Sequence, residues 1–312
     1  MKGWTFAALA IAAAPTVAGA QSVACGAQSM LTGCPVAYQA LASAAPQFGI
    51  AAAAGSAVPG VEGTRGLTLG IIPKTTATLR VSGAAAHLPD TAAPDGEETA
   101  TPIAVKLGTA SRVFEGSSAG TGAFDLLFEA GLLTNTGEGG RTAAVLAAGA
   151  RLGLLRETFA APGIAVSGVW RHVGPLQYGS SCGTDSGCVG FSTQAAFGVN
   201  DVSARLTIGK RVGPVGLLAG GGWDHFATTH GAITYHGSGG FEPTSGTVAV
   251  DVTDSRWSAF ANLSKNLLIG SAVAELGWMS GGDAVTNFAP GPGGFDPGQG
   301  TFFGSVALRF QL

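Results

Sequence analysis

Residues 301–312, TFFGSVALRFQL, alternate between apolar and polar side chains with a period of two. The apolar set is Phe302, Gly304, Val306, Leu308, Phe310 and Leu312, and the polar set, interrupted by Phe303, is Thr301, Ser305, Arg309 and Gln311. This pattern predicts a strand with one face toward apolar surroundings and the other toward water. We therefore expect residues 301–312 to form a strand with one face toward lipid and the other toward water.

The start of the chain predicts export. Lys2 precedes an uncharged apolar stretch at residues 5–14, and Ala18-Gly19-Ala20 offers small residues for cleavage. This is the pattern of a secretory signal peptide over residues 1–20, so the mature chain should begin at Gln21.

An exported chain that ends on such a strand resembles the superfamily of bacterial outer-membrane β-barrels, although the final residue is Leu312 where an aromatic residue is usual. The resemblance implies residence in the outer membrane of a Gram-negative-type bacterium, in contact with its lipid and lipopolysaccharide. It also implies that the barrel-assembly machinery recognises the strand from Thr301 to Leu312.

Composition agrees with this class. Glycine accounts for 51 of 312 residues and charged residues for 11%, against about 25% charged in a soluble domain. After the signal, no uncharged apolar run approaches the roughly 20 residues of a spanning helix. The net charge of −3 gives no reason to expect a nucleic-acid partner.

Apolar-alternating stretches divide the rest of the chain into strands, near residues 47–57, 64–72, 75–88, 103–114, 120–133, 141–156, 163–178, 201–211, 215–235, 247–264, 268–282 and 301–312. The breaks between them alternate between short and long, as periplasmic turns and outer loops do in membrane barrels. The sequence therefore predicts an all-β, up-and-down antiparallel barrel of about twelve strands over residues 47–312. Ten or fourteen strands remain alternatives, since residues 191–200 could form another strand or extend one.

Four tryptophans, Trp170, Trp223, Trp257 and Trp278, share parity with the apolar faces and lie 7 to 10 residues from the short-turn ends of their predicted strands. Aromatic residues collect where a barrel meets the membrane interface. We therefore predict that these side chains form the outer aromatic girdle at the lipid interface. Ordinary core tryptophans of a soluble β-sandwich are the alternative, but a sandwich does not explain the alternating break lengths.

Residues 21–46 precede the predicted barrel and form either a periplasmic extension or a short plug. Residues 36–45 are compatible with a helix that Pro46 would stop. The cysteines fall into two local pairs, Cys25 with Cys34 and Cys182 with Cys188, which predicts two disulfides in an oxidising compartment.

The faces opposite the apolar ones carry the charges of the predicted strands, and since an outward midplane Arg or Lys costs about 2–4 kcal/mol, these side chains should line the lumen. They are Arg80, Lys106, Arg112, Asp125, Glu129, Arg151, Arg171, Arg205, Arg211, Asp224, Arg256, Glu275 and Arg309. Bases outnumber acids, so an open pore should favour anions. The alternative is that these groups pair and fill a closed lumen.

The candidate catalytic motifs are weak. Residues 116–120, GSSAG, match G-x-S-x-G but precede a strand pattern, where a nucleophile elbow needs a helix. Lipid-modifying barrels place Ser and His together on the lipid-facing wall, yet the outward neighbours of His87 on the next strand are Ile103 and Val105. We therefore predict no catalytic residues, metal or cofactor.

The predicted function is a passive channel for small solutes with mild anion preference, without enzymatic activity. A structural or adhesive surface barrel with a blocked lumen is the first alternative, and a lipid-modifying barrel enzyme is the second. The oligomeric state does not follow from the sequence.

Overall fold

A computed structural model describes residues 33–55, 75–89, 97–114, 123–135, 141–179, 191–237, 244–268, 270–284 and 294–311. Its elements are one helix, α1 (Gly33–Ala53), and the strands β1 (Thr75–Ala84), β2 (Ala86–Pro89), β3 (Glu97–Ala100), β4 (Pro102–Phe114), β5 (Phe124–Asn135), β6 (Ala143–Leu155), β7 (Gly163–Tyr178), β8 (Phe191–Val212), β9 (Val215–Gly237), β10 (Thr244–Ala249), β11 (Thr253–Leu267), β12 (Gly270–Met279) and β13 (Thr301–Gln311).

The strands form a closed antiparallel barrel, as the alternation predicts. Consecutive wall strands pair with each other, with β1 paired to β4 and β9 to β11. The last strand, β13, pairs with β1, so that Thr76 lies opposite Gln311. The wall contains ten strands, because β2 and β3 form a separate hairpin and β10 pairs with the far end of β9 in line with β11. The prediction of about twelve strands is wrong, and the alternative of ten is correct.

The two missing strands have separate explanations. The predicted strand at residues 47–57 is instead helical through Ala53, so the predicted domain boundary at residue 47 falls inside α1. The predicted strand at residues 64–72 lies outside the described residues. Residues 191–200 extend the predicted strand 201–211 into the long β8, and the predicted strand 163–178 has the bounds of β7.

The alternating side chains give the barrel an apolar outer surface, since many large hydrophobic residues on its strands are exposed. Those on the wall include Leu79, Val105, Leu107, Phe128, Leu132, Leu146, Val202, Leu206, Leu217, Leu263, Leu276, Val306 and Leu308. An apolar band facing outward around a closed barrel is the surface that a bilayer requires.

The two ends of the barrel differ in the length of their connections. At one end, β8 and β9 are joined through residues 213–214 and β11 and β12 through 268–269, whereas at the other end β12 and β13 are separated by residues 280–300. Short turns mark the periplasmic end of a membrane barrel and long loops the outer end. Thr75 and Gln311 both lie at the short-turn end.

Helix α1 lies inside the barrel. The side chains described on it are almost all buried, including Leu41, Phe48 and Ile50. Pro46 was expected to end the helix but lies within it, although its ring removes one backbone hydrogen bond. Burial on all sides stabilises the helix beyond what its local sequence provides. No helix among the described residues is long and apolar enough to cross a membrane.

The predicted signal peptide at residues 1–20 lies outside the described residues. So do Cys25, Cys182 and Cys188, together with the side chain of Cys34. Both disulfides therefore stay predictions.

Candidate functional site in the barrel lumen

The thirteen charged side chains predicted for the lumen lie on the strand faces opposite the exposed apolar residues. The buried ones are Arg80, Lys106, Asp125, Glu129, Arg171, Arg205, Asp224, Arg256, Glu275 and Arg309. Arg112, Arg151 and Arg211 are half-buried toward the short-turn end. A charge that leaves water needs a partner of opposite sign or several hydrogen bonds, so the contacts of these groups define the site.

Side chains of the barrel wall, charged and polar, cap the C-terminal end of α1. The Lys106 ammonium donates to the carbonyl oxygen of Ala52 and, at 3.3 Å, to that of Ala54. The Ser82 hydroxyl donates to the carbonyl oxygen of Ala51 at 2.8 Å. The last carbonyls of a helix have no partner within the helix and carry partial negative charge, so a lysine placed there is favourable.

Gly55, two residues beyond the end of the helix, is held by side chains of both charges. The Gly55 amide donates to Glu275 Oε1 at 2.7 Å, and Arg80 Nη1 lies 3.5 Å from the Gly55 carbonyl oxygen. The same Arg80 nitrogen donates to Glu129 Oε1 at 2.8 Å, and Lys106 Nζ lies 3.7 Å from Glu129 Oε2. Side chains from β1, β4, β5 and β12 thus converge on one helix end, which we call the helix-cap cluster: Arg80, Ser82, Lys106, Glu129 and Glu275.

The wall beside this cluster carries further ion pairs. Arg171 donates to Asp201 at 2.7 Å, and Arg205 donates to Asp224 at 3.0 Å. The Arg205 guanidinium also lies 5.4 Å from the centre of the Phe260 ring, within the range of a cation–π contact. The arginines of this wall are therefore neutralised locally.

Two more carboxylates complete the pairing. Asp125 binds Arg112 and, at 3.1 Å, Arg151 from the two neighbouring strands. Asp254 accepts from Arg256 at 2.7 Å. At least seven of the nine predicted lumen bases therefore face a carboxylate directly.

Asp201 and Asp254 were missed at the sequence level. Asp201 shares parity with Arg205, and Asp254 shares parity with Arg256. Asp201 is the first residue of the predicted strand 201–211 and was not assigned to a face. The strand in the structure, β8, begins at Phe191, so Asp201 lies well inside it. Parity along the full strand would have found both and lowered the expected positive excess of the lumen.

Above the helix-cap cluster, toward the long loops, the lumen is apolar. Phe48 of α1 meets Phe197 edge-on, with ring centroids 6.1 Å apart. Gln47 anchors the helix to the β2–β3 hairpin, because its amide nitrogen donates to the His87 carbonyl at 2.6 Å and its oxygen accepts from the His87 amide at 2.6 Å. His87 itself pairs with Glu97 across that hairpin.

The tryptophans predicted for the girdle lie on the outer surface of the wall. Trp170, Trp257 and Trp278 are exposed and Trp223 is half-buried. Trp223 and Trp257 are direct cross-strand partners, so these two lie at the same height on the barrel.

The described residues contain no group of three or more His, Cys, Asp or Glu side chains that could hold a metal ion. The G-x-S-x-G motif at residues 116–120 lies outside the described residues.

No protein-family model matches the chain, and no curated protein matches it either. Among solved structures, the translocator domain of the autotransporter NalP from Neisseria meningitidis matches with 12% identity over 77% of this chain and 88% of that one, at a TM-score of 0.42. The outer-membrane protease OmpT from Escherichia coli matches with 10% identity over 78% of this chain and 99% of that one, at a TM-score of 0.40.

These likenesses are distant, and the class of the protein rests on its own structure. The chain forms a closed antiparallel barrel with an apolar outer surface and a charged, ion-paired inner surface. That is the architecture of the bacterial outer-membrane β-barrel superfamily. Helix α1 lies inside this barrel and packs against its inner surface.

Proposed function

We propose that the protein is a structural surface barrel of the outer membrane whose lumen is closed by α1. The observation that carries this proposal is the helix-cap cluster. Lys106 and Ser82 donate to the last carbonyls of α1, and Gly55, just beyond the helix, bonds Arg80 through its carbonyl and Glu275 through its amide. A helix end fixed by four wall side chains is an integral part of the fold.

The apolar packing of α1 supports the same conclusion. Leu41, Phe48 and Ile50 are fully buried, and exposing each such side chain costs about 1.5–3 kcal/mol. Opening the lumen would also leave Lys106 and Glu275 without their helix partners. A passive channel with mild anion preference would need all of these contacts to break, and the arginines that would select anions are largely paired.

The direction of α1 suggests what the closed barrel does. Gln47 bonds His87 beyond the outer end of β1, whereas Gly55 bonds Arg80 in the middle of that strand. The helix therefore runs inward from the long-loop end, and Gly33 faces the outer mouth. We propose that the barrel anchors the chain and presents the segment preceding Gly33 at the cell surface, consistent with a structural or adhesive role without catalysis in the lumen.

Conductance of the purified barrel in a planar bilayer tests closure. The intact chain should show no unitary steps, whereas a variant lacking residues 33–55 should show them, because that deletion removes the plug. Frequent steps from the intact chain, with an anion-selective reversal potential in a salt gradient, would support the channel instead.

Surface labelling of intact cells tests the direction of α1. An epitope placed immediately before Gly33 should bind antibody without permeabilisation. An epitope in the short turn at residues 213–214 should bind only after permeabilisation and serves as the matched control. The opposite result at Gly33 would show that α1 enters from the periplasm.

Residence and assembly are part of the proposal. The outward apolar belt supports contact with outer-membrane lipid and lipopolysaccharide. The strand β13, which closes the barrel against β1, is the segment that we propose the assembly machinery recognises.

A further inference from the structure

A serine and a histidine lie side by side on the outside of the barrel. Ser255 of β11 and His225 of β9 are direct cross-strand partners. Ser255 Oγ lies 2.8 Å from Nδ1 of His225 at an exposed position. The two residues share parity with Trp257 and Trp223, so both point away from the lumen.

The pair has a defined height on the wall. Ser255 and His225 each lie two residues toward the long-loop end from Trp257 and Trp223, which is about 7 Å along a strand. Tryptophan in a membrane barrel marks the interface between acyl chains and headgroups. The hydroxyl group is therefore placed where the ester bonds of outer-leaflet lipids meet water.

The imidazole is also oriented. The His225 ring stacks on the Trp223 indole, with centroids 5.8 Å apart and planes inclined by 14°. This contact restricts rotation of the ring while Nδ1 lies against Ser255. A nucleophile within hydrogen-bond distance of an oriented base is the minimal arrangement for acyl transfer.

A second pair on the same wall provides a contrast. His172 stacks on Trp170 at 6.3 Å and lies 2.8 Å from Asn200 Oδ1 across the strands. The geometry repeats, but the partner is an amide, which is not a nucleophile. The two histidine pairs therefore differ chemically in one respect, which is that only His225 has a hydroxyl group, that of Ser255, as its partner.

We propose that Ser255 and His225 form a nucleophile and general base that cleave acyl esters of outer-leaflet lipid. His225 Nδ1 takes the hydroxyl proton as Ser255 Oγ bonds to the carbonyl carbon. The carbon–oxygen bond to the alcohol then breaks, and the imidazolium returns the proton to that leaving oxygen. Water, deprotonated by His225, hydrolyses the acyl-serine, releases the fatty acid and restores Ser255.

This activity goes beyond the proposed closed barrel and does not depend on it, because the pair lies on the opposite face of the wall from α1. A conductance result therefore leaves the inference untouched, and loss of esterase activity leaves closure untouched.

A fluorophosphonate probe tests the serine directly in detergent-solubilised, folded barrel. We expect peptide mass spectrometry to find the label on Ser255, and Ser255→Ala to abolish it. His225→Asn should slow labelling about a hundredfold or more, the usual contribution of a general base. The matched control His172→Asn removes the imidazole of the other stacked pair and should leave labelling unchanged.

The second arm measures release of p-nitrophenol from a medium-chain p-nitrophenyl ester in mixed micelles. The intact chain and His172→Asn should be active, and Ser255→Ala should be inactive. No label on Ser255, or equal labelling in His225→Asn, would overturn the proposal. Heat-modifiable migration of each variant on a gel confirms that the barrel is folded, so loss of labelling cannot be assigned to misfolding.

Discussion

The outer and middle parts of the lumen hold the same helix by different physics. Toward the long loops, α1 makes apolar packing contacts with Phe197, Phe226 and other hydrophobic side chains. At mid-height its C-terminal end meets the helix-cap cluster of ionised and hydroxyl groups. Apolar burial provides non-directional stabilisation in proportion to area. Buried ion pairs add little net stability, but separating the partners is strongly destabilising.

We expect the two parts of the lumen to contribute differently to the stability and to the position of α1. The apolar part supplies most of the net free energy that keeps α1 in place. The charged part fixes how deep the helix sits, because Lys106 must meet the Ala52 carbonyl while Glu275 meets the Gly55 amide. The following predictions separate these two contributions, and each is measured by urea unfolding in detergent.

Phe48→Ala should have the largest effect. It leaves a cavity against Phe197 in the apolar part, and such truncations cost about 3–5 kcal/mol. Phe159→Ala is the matched control, because Phe159 is fully exposed, and it should change the free energy of unfolding by less than about 0.5 kcal/mol. Equal effects would show that α1 is not packed in the lumen.

Arg171→Met tests the charged wall. It leaves Asp201 buried without its partner, and breaking a buried pair costs about 3 kcal/mol or more. Asp201→Leu should cost a similar amount. The double variant should recover most of the loss, since an apolar pair of similar volume is often neutral. A double variant as unstable as the sum of the two singles would contradict the pairing.

Gly55→Ala tests the junction between the two parts. Its φ of 98° disfavours any side chain, and an added Cβ would lie 2.5 Å from Arg80 Nε. Gly213→Ala has a φ of 61° with nothing within 4 Å, so it isolates the backbone cost of about 1–2 kcal/mol. We expect Gly55→Ala to be the more destabilising, because Arg80 must also move away from Glu129. Equal losses would mean that the cap tolerates displacement.

Gly49→Ala should have the smallest effect, because two terms oppose each other. Alanine in a helix interior gains about 1 kcal/mol over glycine. The new Cβ would lie 2.5 Å from the Phe226 ring, and overpacking costs about 1–3 kcal/mol. We expect a net loss of about 1 kcal/mol. A net gain would show that the apolar packing around α1 is loose.

The sequence alone determined the wall of the barrel. A period-two pattern predicts which side chains share a face. It places Arg80, Lys106 and Arg171 on the face opposite Leu79, Leu107 and Trp170. The lengths of the breaks distinguished the two ends. Both signals are local, because strand geometry fixes them within a few residues.

Only the tertiary structure decided what fills the barrel. Residues 48–53 are an uncharged apolar run, and such a run is compatible with a buried strand or a buried helix. A helix buried on all sides lacks the polar face from which an amphipathic helix is recognised in a sequence. Pro46 is in addition a local signal for the end of a helix. The surroundings that override these signals come from strands far away along the chain, as when Glu275 binds Gly55 across a separation of 220 residues.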